Sequence, residues 1–209
     1  SPAEAGRVGE AISSAALKVN RQLELSEQRS GEAKAIEDYS AYQLEMQRIE
    51  SDLRQETLES PEGYTEKYLE AADKTLNRYI DKNDNKYYRD VMRKRYAQQK
   101  PRLAESSIKY EAKQKTSQQV NGLNNAINNL SLVVMNDPEQ LISALSQLDG
   151  NFASAHVNAV IPRSAELKTN ARSQLYGAAV DSLINSGNLD AAKEFLSDET
   201  NKQNLGYES

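Results

Sequence analysis

Between residues 3 and 58 the apolar side chains recur at steps of three and four, a period that a helix satisfies and a strand does not. Ile12, Ala16, Val19 and Leu23 step by 4, 3 and 4. Ile36, Tyr39, Tyr42, Met46, Ile49 and Leu53 step by 3, 3, 4, 3 and 4. Both runs are close to a heptad seam, and together they predict one long helix with a single stripe. Unbroken, it would be roughly 80 Å long at about 1.5 Å per residue. The stripe weakens over Glu27 to Glu32, which is polar and contains Gly31, so a kink or corner is admitted there. Ser60-Pro61-Glu62-Gly63 marks the stop.

The same period continues downstream. A second helix carries Tyr64, Tyr68, Leu69, Ala72, Leu76, Tyr79 and Ile80 on one face and ends at Asn83-Asp84-Asn85. A third begins near Lys86 with Tyr88, Val91, Arg95 and Leu103, and Pro101 either kinks it or restarts it. Val120, Leu123, Ile127, Leu130 and Val134 resume the pattern among asparagines, which are poor helix formers and call for tertiary support. Asp137-Pro138-Glu139-Gln140 reads as a helix start, with Asp137 as cap, Pro138 in the first turn and Gln140 closing a capping box. Leu141, Leu145 and Leu148 form a short helix that ends at Asp149-Gly150-Asn151. Pro162 starts or interrupts another, running through Leu167, Ala171, Leu175, Ala179, Leu183 and Ile184. Gly187 fits a helix C-terminus, Asn188 caps a helix from Leu189 to Leu196, and residues after Glu199 are expected to fray. The segment from Leu175 to Leu196 reads as one helical hairpin, without the repeat period that an array would need.

These signals predict an all-α fold: an elongated bundle of long antiparallel helices with a smaller C-terminal helical hairpin region. Its expected division is a long-helix bundle over 1–135 and a short-helix region with a frayed tail over 136–209. The side chains expected to pack the bundle are Ile36, Tyr39, Met46, Ile49 and Leu53 on one arm, with Tyr79, Val91, Leu103, Val120, Leu123 and Ile127 on the others.

Charge is distributed unevenly over this pattern. Residues 74–115 carry 13 Lys/Arg against 5 Asp/Glu, whereas residues 1–73 carry 8 against 16 and residues 116–209 carry 5 against 10. An acidic arm, a basic arm and an acidic tail are thus joined in a chain of net charge −5. Tyrosine dominates the aromatics, with 11 Tyr, 2 Phe and no Trp, which suits thin packing because the ring can bury while the hydroxyl reaches water. A mean hydropathy of −0.78 agrees with long helices that bury one stripe each. The absence of cysteine excludes disulfides and thiolate chemistry and fits a reducing compartment. No apolar run reaches the roughly 20 residues of a membrane-spanning helix, the longest being Leu132-Val133-Val134-Met135. The chain begins at Ser1 without methionine, as a fragment of a larger protein would, and shows no secretory signal.

The motifs that carry chemistry are weak. Asp81-Lys82-Asn83-Asp84-Asn85 opens like a calcium loop, but Lys86 stands where the loop needs glycine and Met92 where it needs its bidentate glutamate. A helix–helix corner is the better reading. His156 is the only histidine, no nucleophile-elbow motif accompanies it, and a structural or exposed role is expected. Phosphate-cradling glycine motifs are absent. Glu45, Glu50, Asp52, Glu56 and Glu59 are a dense acidic set, but helical spacing puts them largely on solvated faces or opposite basic residues. No catalytic, cofactor or metal residue is therefore assigned, and a non-enzymatic protein is expected.

The basic arm is the one candidate contact surface. Lys86, Arg89, Arg93, Lys94, Arg95, Lys100 and Arg102 lie among Tyr87, Tyr88 and Tyr96. Such cations neutralise phosphate, and nearby aromatic faces can stack on unpaired bases, so nucleic acid is one candidate partner. The competing and preferred reading is intramolecular, with the basic arm laid along the acidic first arm in a hairpin. A third reading is a bacterial coiled-coil adaptor that dimerises through the 36–53 stripe.

The Ser-Pro-Glu-Gly-Tyr break at 60–64 leading into Tyr68-Leu69, together with the closing Leu183-Ile-Asn-Ser-Gly-Asn-Leu-Asp-Ala-Ala-Lys-Glu-Phe-Leu196 hairpin, resembles helix-rich regions of internal virion and DNA-ejection proteins of tailed bacteriophages. The resemblance is one of style across most of the chain and transfers no functional residue. It implies a structural segment of a phage particle, made in the bacterial host cytoplasm, that packs with other virion proteins or with itself and takes part in genome delivery. Without that resemblance, the same sequence would be read as cytoplasmic.

Overall fold

The computed structural model describes residues 1–206, apart from the side chains of Ala155 and His156; the role expected of His156 therefore lies outside the described residues. Among the described residues there are eight α-helices, one 3-10 turn and no strand. The helices are α1 (Pro2–Glu56), α2 (Tyr64–Asp81), α3 (Lys86–Asn136), α4 (Leu141–Phe152), α5 (Ala155–Val160), α6 (Ser164–Asn185), α7 (Leu189–Ser197) and α8 (Glu199–Leu205), with the 3-10 turn at Pro138–Gln140. The fold is all-α. It divides into two compact units, Ser1–Ala112 and Lys113–Ser209, rather than after residue 135. The physical reason is that Leu123, Ile127, Leu130 and Val134 of α3 bury against the C-terminal helices, so the second half of α3 belongs with them.

The first unit is built from the second half of α1, all of α2 and the start of α3. Its core is mostly tyrosine: Tyr39, Tyr42, Tyr64, Tyr68, Tyr88 and Tyr96 are buried, with Ala35, Met46, Ala72, Leu76, Ile80 and Met92 filling between them. The rings meet in the tilted, stacked and edge-on geometries that their quadrupoles favour. Tyr64 lies 4.5 Å from Tyr110 and 6.0 Å from Tyr68, and Tyr42 takes Tyr79 and Tyr96 edge-on at 6.3 and 6.2 Å. Ile49, Leu53, Tyr79, Val91 and Leu103 pack at the margin as expected, whereas Ile36 is 51% exposed and belongs to no core.

Two expectations for α1 need correction. The helix runs through Gly31 without a break in its assignment, because that glycine receives the α2–α3 turn instead of bending the chain. Nor is there one stripe. At about 100° per residue, Ile12 to Leu23 lie roughly 150° around the helix from Ala35, Tyr39, Tyr42 and Met46. Residues 1–27 are exposed throughout. The 36–53 face is consumed inside its own bundle, which removes it as a coiled-coil dimer seam. Pro101 sits inside α3, so the carbonyl of Ala97 lacks its usual helical donor.

The second unit gathers around α6. Ala171, Leu175, Tyr176, Ala178 and Ala179 bury against Leu141, Ala144, Leu148 and Phe152 of α4, the second half of α3, and Ile161. The expected hairpin forms between α6 and α7. Gly187 takes φ +76°, a left-handed value that glycine adopts without Cβ strain, and the Asn188 N–H reaches back to the Leu183 carbonyl at 2.9 Å. Asn188 then caps α7 through the Ala191 N–H at 3.3 Å. At the other predicted start, Asp137 accepts from the Glu139 N–H at 3.1 Å, but the Gln140 side chain donates to the Asp137 carboxylate rather than closing a full capping box. Residues 199–205 do not fray. They form α8, capped by Asp198 and packed through Leu205.

Candidate functional site

The basic arm is distributed around α3 rather than gathered on one face. Tyr88 is fully buried and Tyr96 is 8% exposed, so neither ring offers a stacking platform. The Tyr88 hydroxyl donates to Asp38 at 2.7 Å, the Tyr96 hydroxyl donates to Asp73, and half-buried Tyr87 donates to Glu24 at 2.8 Å. Burial, and then the carboxylate each hydroxyl serves, pushes the Tyr88 and Tyr96 phenols far above their ordinary value. Tyr87 is raised chiefly by its bond to Glu24. Lys100 joins Asp73 at 3.1 Å, Lys86 sits 3.9 Å from Glu24, and Arg89 donates to the Ile80 carbonyl at the end of α2 at 3.2 Å.

The expected meeting of acidic and basic arms thus takes a different form. Tyrosine hydroxyls, rather than ammonium or guanidinium groups, make most of the polar links from α3 to α1, joined by the bond between Tyr39 and Gln99. The acidic set of α1 finds its partners locally and on α2. Glu45 serves Arg78 and Tyr79, Glu50 serves Arg54, and Glu56 meets Lys67 at 3.4 Å. Residue types that look like an ion-pair zipper therefore build a buried phenol network with exposed pairs at its rim. Such exposed pairs contribute little to stability.

Arg93, Lys94, Arg95 and Arg102 are exposed and stand outside the ion pairs formed among the described residues. Arg95 and Arg102 stand two helical turns apart on the side of α3 that faces α1, where Arg95 lies 5.9 Å over the Tyr39 ring. They line a groove of about 790 Å³ with Gln43, Gln98, Gln99 and Ser106, and no carboxylate is among its lining residues. An adjoining recess of about 540 Å³ reaches the core at Tyr42, Met46, Tyr68 and Leu103. Two exposed guanidiniums lining a groove without a carboxylate can hold an anion.

Two other concavities are less suited to a ligand. A cleft of about 440 Å³ is lined by Lys34, Asp38, Glu45, Arg78, Tyr79, Lys82, Asn83 and Tyr88. Its carboxylates are already in use, Asp38 by Lys34 at 3.2 Å and by Tyr88, Glu45 by Arg78 and by Tyr79 at 3.2 Å. In the second unit, Leu183, Ala191 and Phe195 line a recess of about 400 Å³ with Glu139, Glu194 and Asp198. No group of His, Asp and Glu able to hold a metal occurs among the described residues. Nor is any helix there long and apolar enough to cross a membrane.

The Asp81–Asn85 segment is a corner with a structural task. Asn85 accepts from the Tyr87 and Tyr88 N–H groups at 3.0 and 3.1 Å, capping α3, while its amide donates to the Glu27 carbonyl of α1 at 3.0 Å.

The feature that periodicity misread is the first half of α1. Val8, Ile12, Val19 and Leu23 are 58%, 65%, 56% and 64% exposed, a helical apolar stripe that joins neither the core of its unit nor the margin of that core. The spacing revealed the stripe, but it carried no information on whether the chain covers it. Comparison with protein-family models, curated proteins and solved structures finds no match for this chain.

Proposed function

We propose that this chain is a non-enzymatic assembly module of a phage virion protein, joining other particle proteins by helix-on-helix packing and acting in genome delivery. The observation that carries the reading is the projecting half of α1, whose large apolar side chains are left in water over residues 8–23. An isolated helix of this length, with Gly6, Gly9 and several β-branched or short polar residues, is marginal in water. A covering contact from another chain supplies what the fold leaves out. The polar groups of the Lys34–Tyr88 cleft neutralise one another, which suits a scaffold better than a catalyst.

Purified particles of the phage that encodes the chain test this reading by quantitative mass spectrometry. The chain is expected at a defined copy number per particle, and Ile12→Asp/Val19→Asp is expected to deplete it. Absence of the unaltered chain from particles overturns the proposal.

The groove at Arg95 and Arg102 favours a second reading, a polyanion site for nucleic acid. Binding of a single-stranded oligonucleotide would weaken steeply with salt, and Arg95→Glu/Arg102→Glu would abolish it. Equal binding by that variant removes the reading.

A further inference from the structure

We propose that the projecting half of α1 pairs with the same segment of a second copy, antiparallel, about a two-fold axis level with the Ala15–Ala16 bond. This rests on the assembly reading above and names its partner.

The argument begins with position around the helix. At about 100° per residue, Val8, Ile12, Val19 and Leu23 fall within a sector of roughly 60°. All four are more than half exposed. Their positions along the helix are symmetric as well. Ile12 and Val19 lie equally far from the Ala15–Ala16 midpoint, and so do Val8 and Leu23. An antiparallel copy therefore brings Ile12 level with Val19 and Val8 level with Leu23, while the two alanines let the helices approach most closely at the axis. A two-fold interface has to be self-complementary in this way, whereas a surface for an unrelated partner carries no such requirement.

Charge along the arm is compatible with self-pairing. Arg7, Glu10, Arg21 and Glu24 lie roughly 130–170° around the helix from the stripe and stay clear of the seam, whose one flanking level is the like-charged Glu4 with Glu27. Residues 1–27 carry three basic and four acidic side chains, so two copies do not repel strongly. Two arms about 33 Å long and about 11 Å wide bury on the order of 1,000 Å², at the low end for a specific interface. The association is therefore concentration-dependent.

The chain contains no cysteine, so introduced thiols report the pairing without background. In the full chain, Ile12→Cys and Val19→Cys are made separately and oxidised alone and as an equimolar mixture. Antiparallel pairing cross-links the mixture and leaves each variant alone largely uncross-linked, because like positions stand about 10 Å apart along the axis, beyond disulfide reach. Cross-linking of Ile12→Cys by itself means parallel pairing and overturns the proposal.

Light scattering supplies the second measurement. The unaltered chain is expected to pass from monomer to dimer with concentration, and Ile12→Asp/Val19→Asp to remain monomeric with its tyrosine environment intact. A chain that stays monomeric up to hundreds of micromolar overturns the self-pairing. Copy number in the particle is measured independently, so the assembly reading can stand or fall separately.

Discussion

Replacing Gly31 by alanine in the middle of α1 should destabilise the first unit, although the same change ordinarily strengthens a helix. The ordinary effect is a gain of about 0.8–1.0 kcal/mol from helix propensity. At Gly31, however, a Cβ would stand 2.7 Å from the Asn85 side-chain carbon and 2.9 Å from its amide nitrogen, with the amide oxygen closer still. That amide is not free to swing away. Its oxygen caps α3 through the Tyr87 and Tyr88 N–H groups, and its nitrogen donates to the Glu27 carbonyl. Displacing it forfeits an asparagine cap of about 1 kcal/mol and a hydrogen bond of about 0.5–1.5 kcal/mol. Close packing of α1 against the turn is also lost, so the net expectation is a loss of about 1 kcal/mol. Nine of the eleven tyrosines lie in residues 1–112 and there is no tryptophan, so tyrosine fluorescence during urea unfolding follows this unit. Gly9→Ala is the control, since nothing lies within 4 Å of a Cβ there, and it should only add helicity. In an Asn85→Ala background, Gly31→Ala should recover its propensity gain, making the two changes non-additive by about 1–2 kcal/mol. Stabilisation by Gly31→Ala in the unaltered chain would refute the account.

Three further outcomes follow from the buried side chains. Burial raises the Tyr42, Tyr88 and Tyr96 phenols far above their usual range and Tyr68 to about 12, so the folded state holds protons that the unfolded chain releases near pH 10. Stability is thus complete below about pH 10 and falls above it by roughly 5 kcal/mol per pH unit for four such groups; phenolate absorbance should rise together with loss of circular dichroism, and gradual ionisation with helicity intact would contradict this. Tyr88→Phe removes the donor to Asp38 and should cost about 1–2 kcal/mol in urea unfolding, with an unchanged midpoint counting against the bond. Leu148→Ala, at a fully buried position in the second unit, should cost about 2–5 kcal/mol by calorimetry and leave the tyrosine fluorescence of the first unit in place.

The helices were legible because their determinants are local. Steps of three and four, the Pro61–Gly63 break, the Asp137 cap and the Gly187 turn each act within a few residues, and the structure contains all of them. What was not legible depends on what lies opposite. Ile12 and Met46 carry the same periodic signal, yet one is 65% exposed and the other 4%, because only the second half of α1 lies against α2 and α3. Gly31 looked like a weakness in the helix for the same reason, since the residue that needs its missing Cβ is Asn85, far along the chain. At the basic arm the part that could not be read was which groups make the intramolecular contacts. A tyrosine beside arginines suits a nucleic-acid platform, but the same phenol can bury its ring and donate a hydrogen bond to a carboxylate of a neighbouring helix, as Tyr88 does to Asp38 and Tyr96 to Asp73. Arg95 and Arg102 stand apart from that network, both exposed, with Arg95 over the Tyr39 ring. Converting Tyr88 to phenylalanine leaves Asp38 to Lys34, and converting Tyr96 leaves Asp73 to Lys100, without touching either arginine, so the groove and the tyrosine network can be tested one at a time.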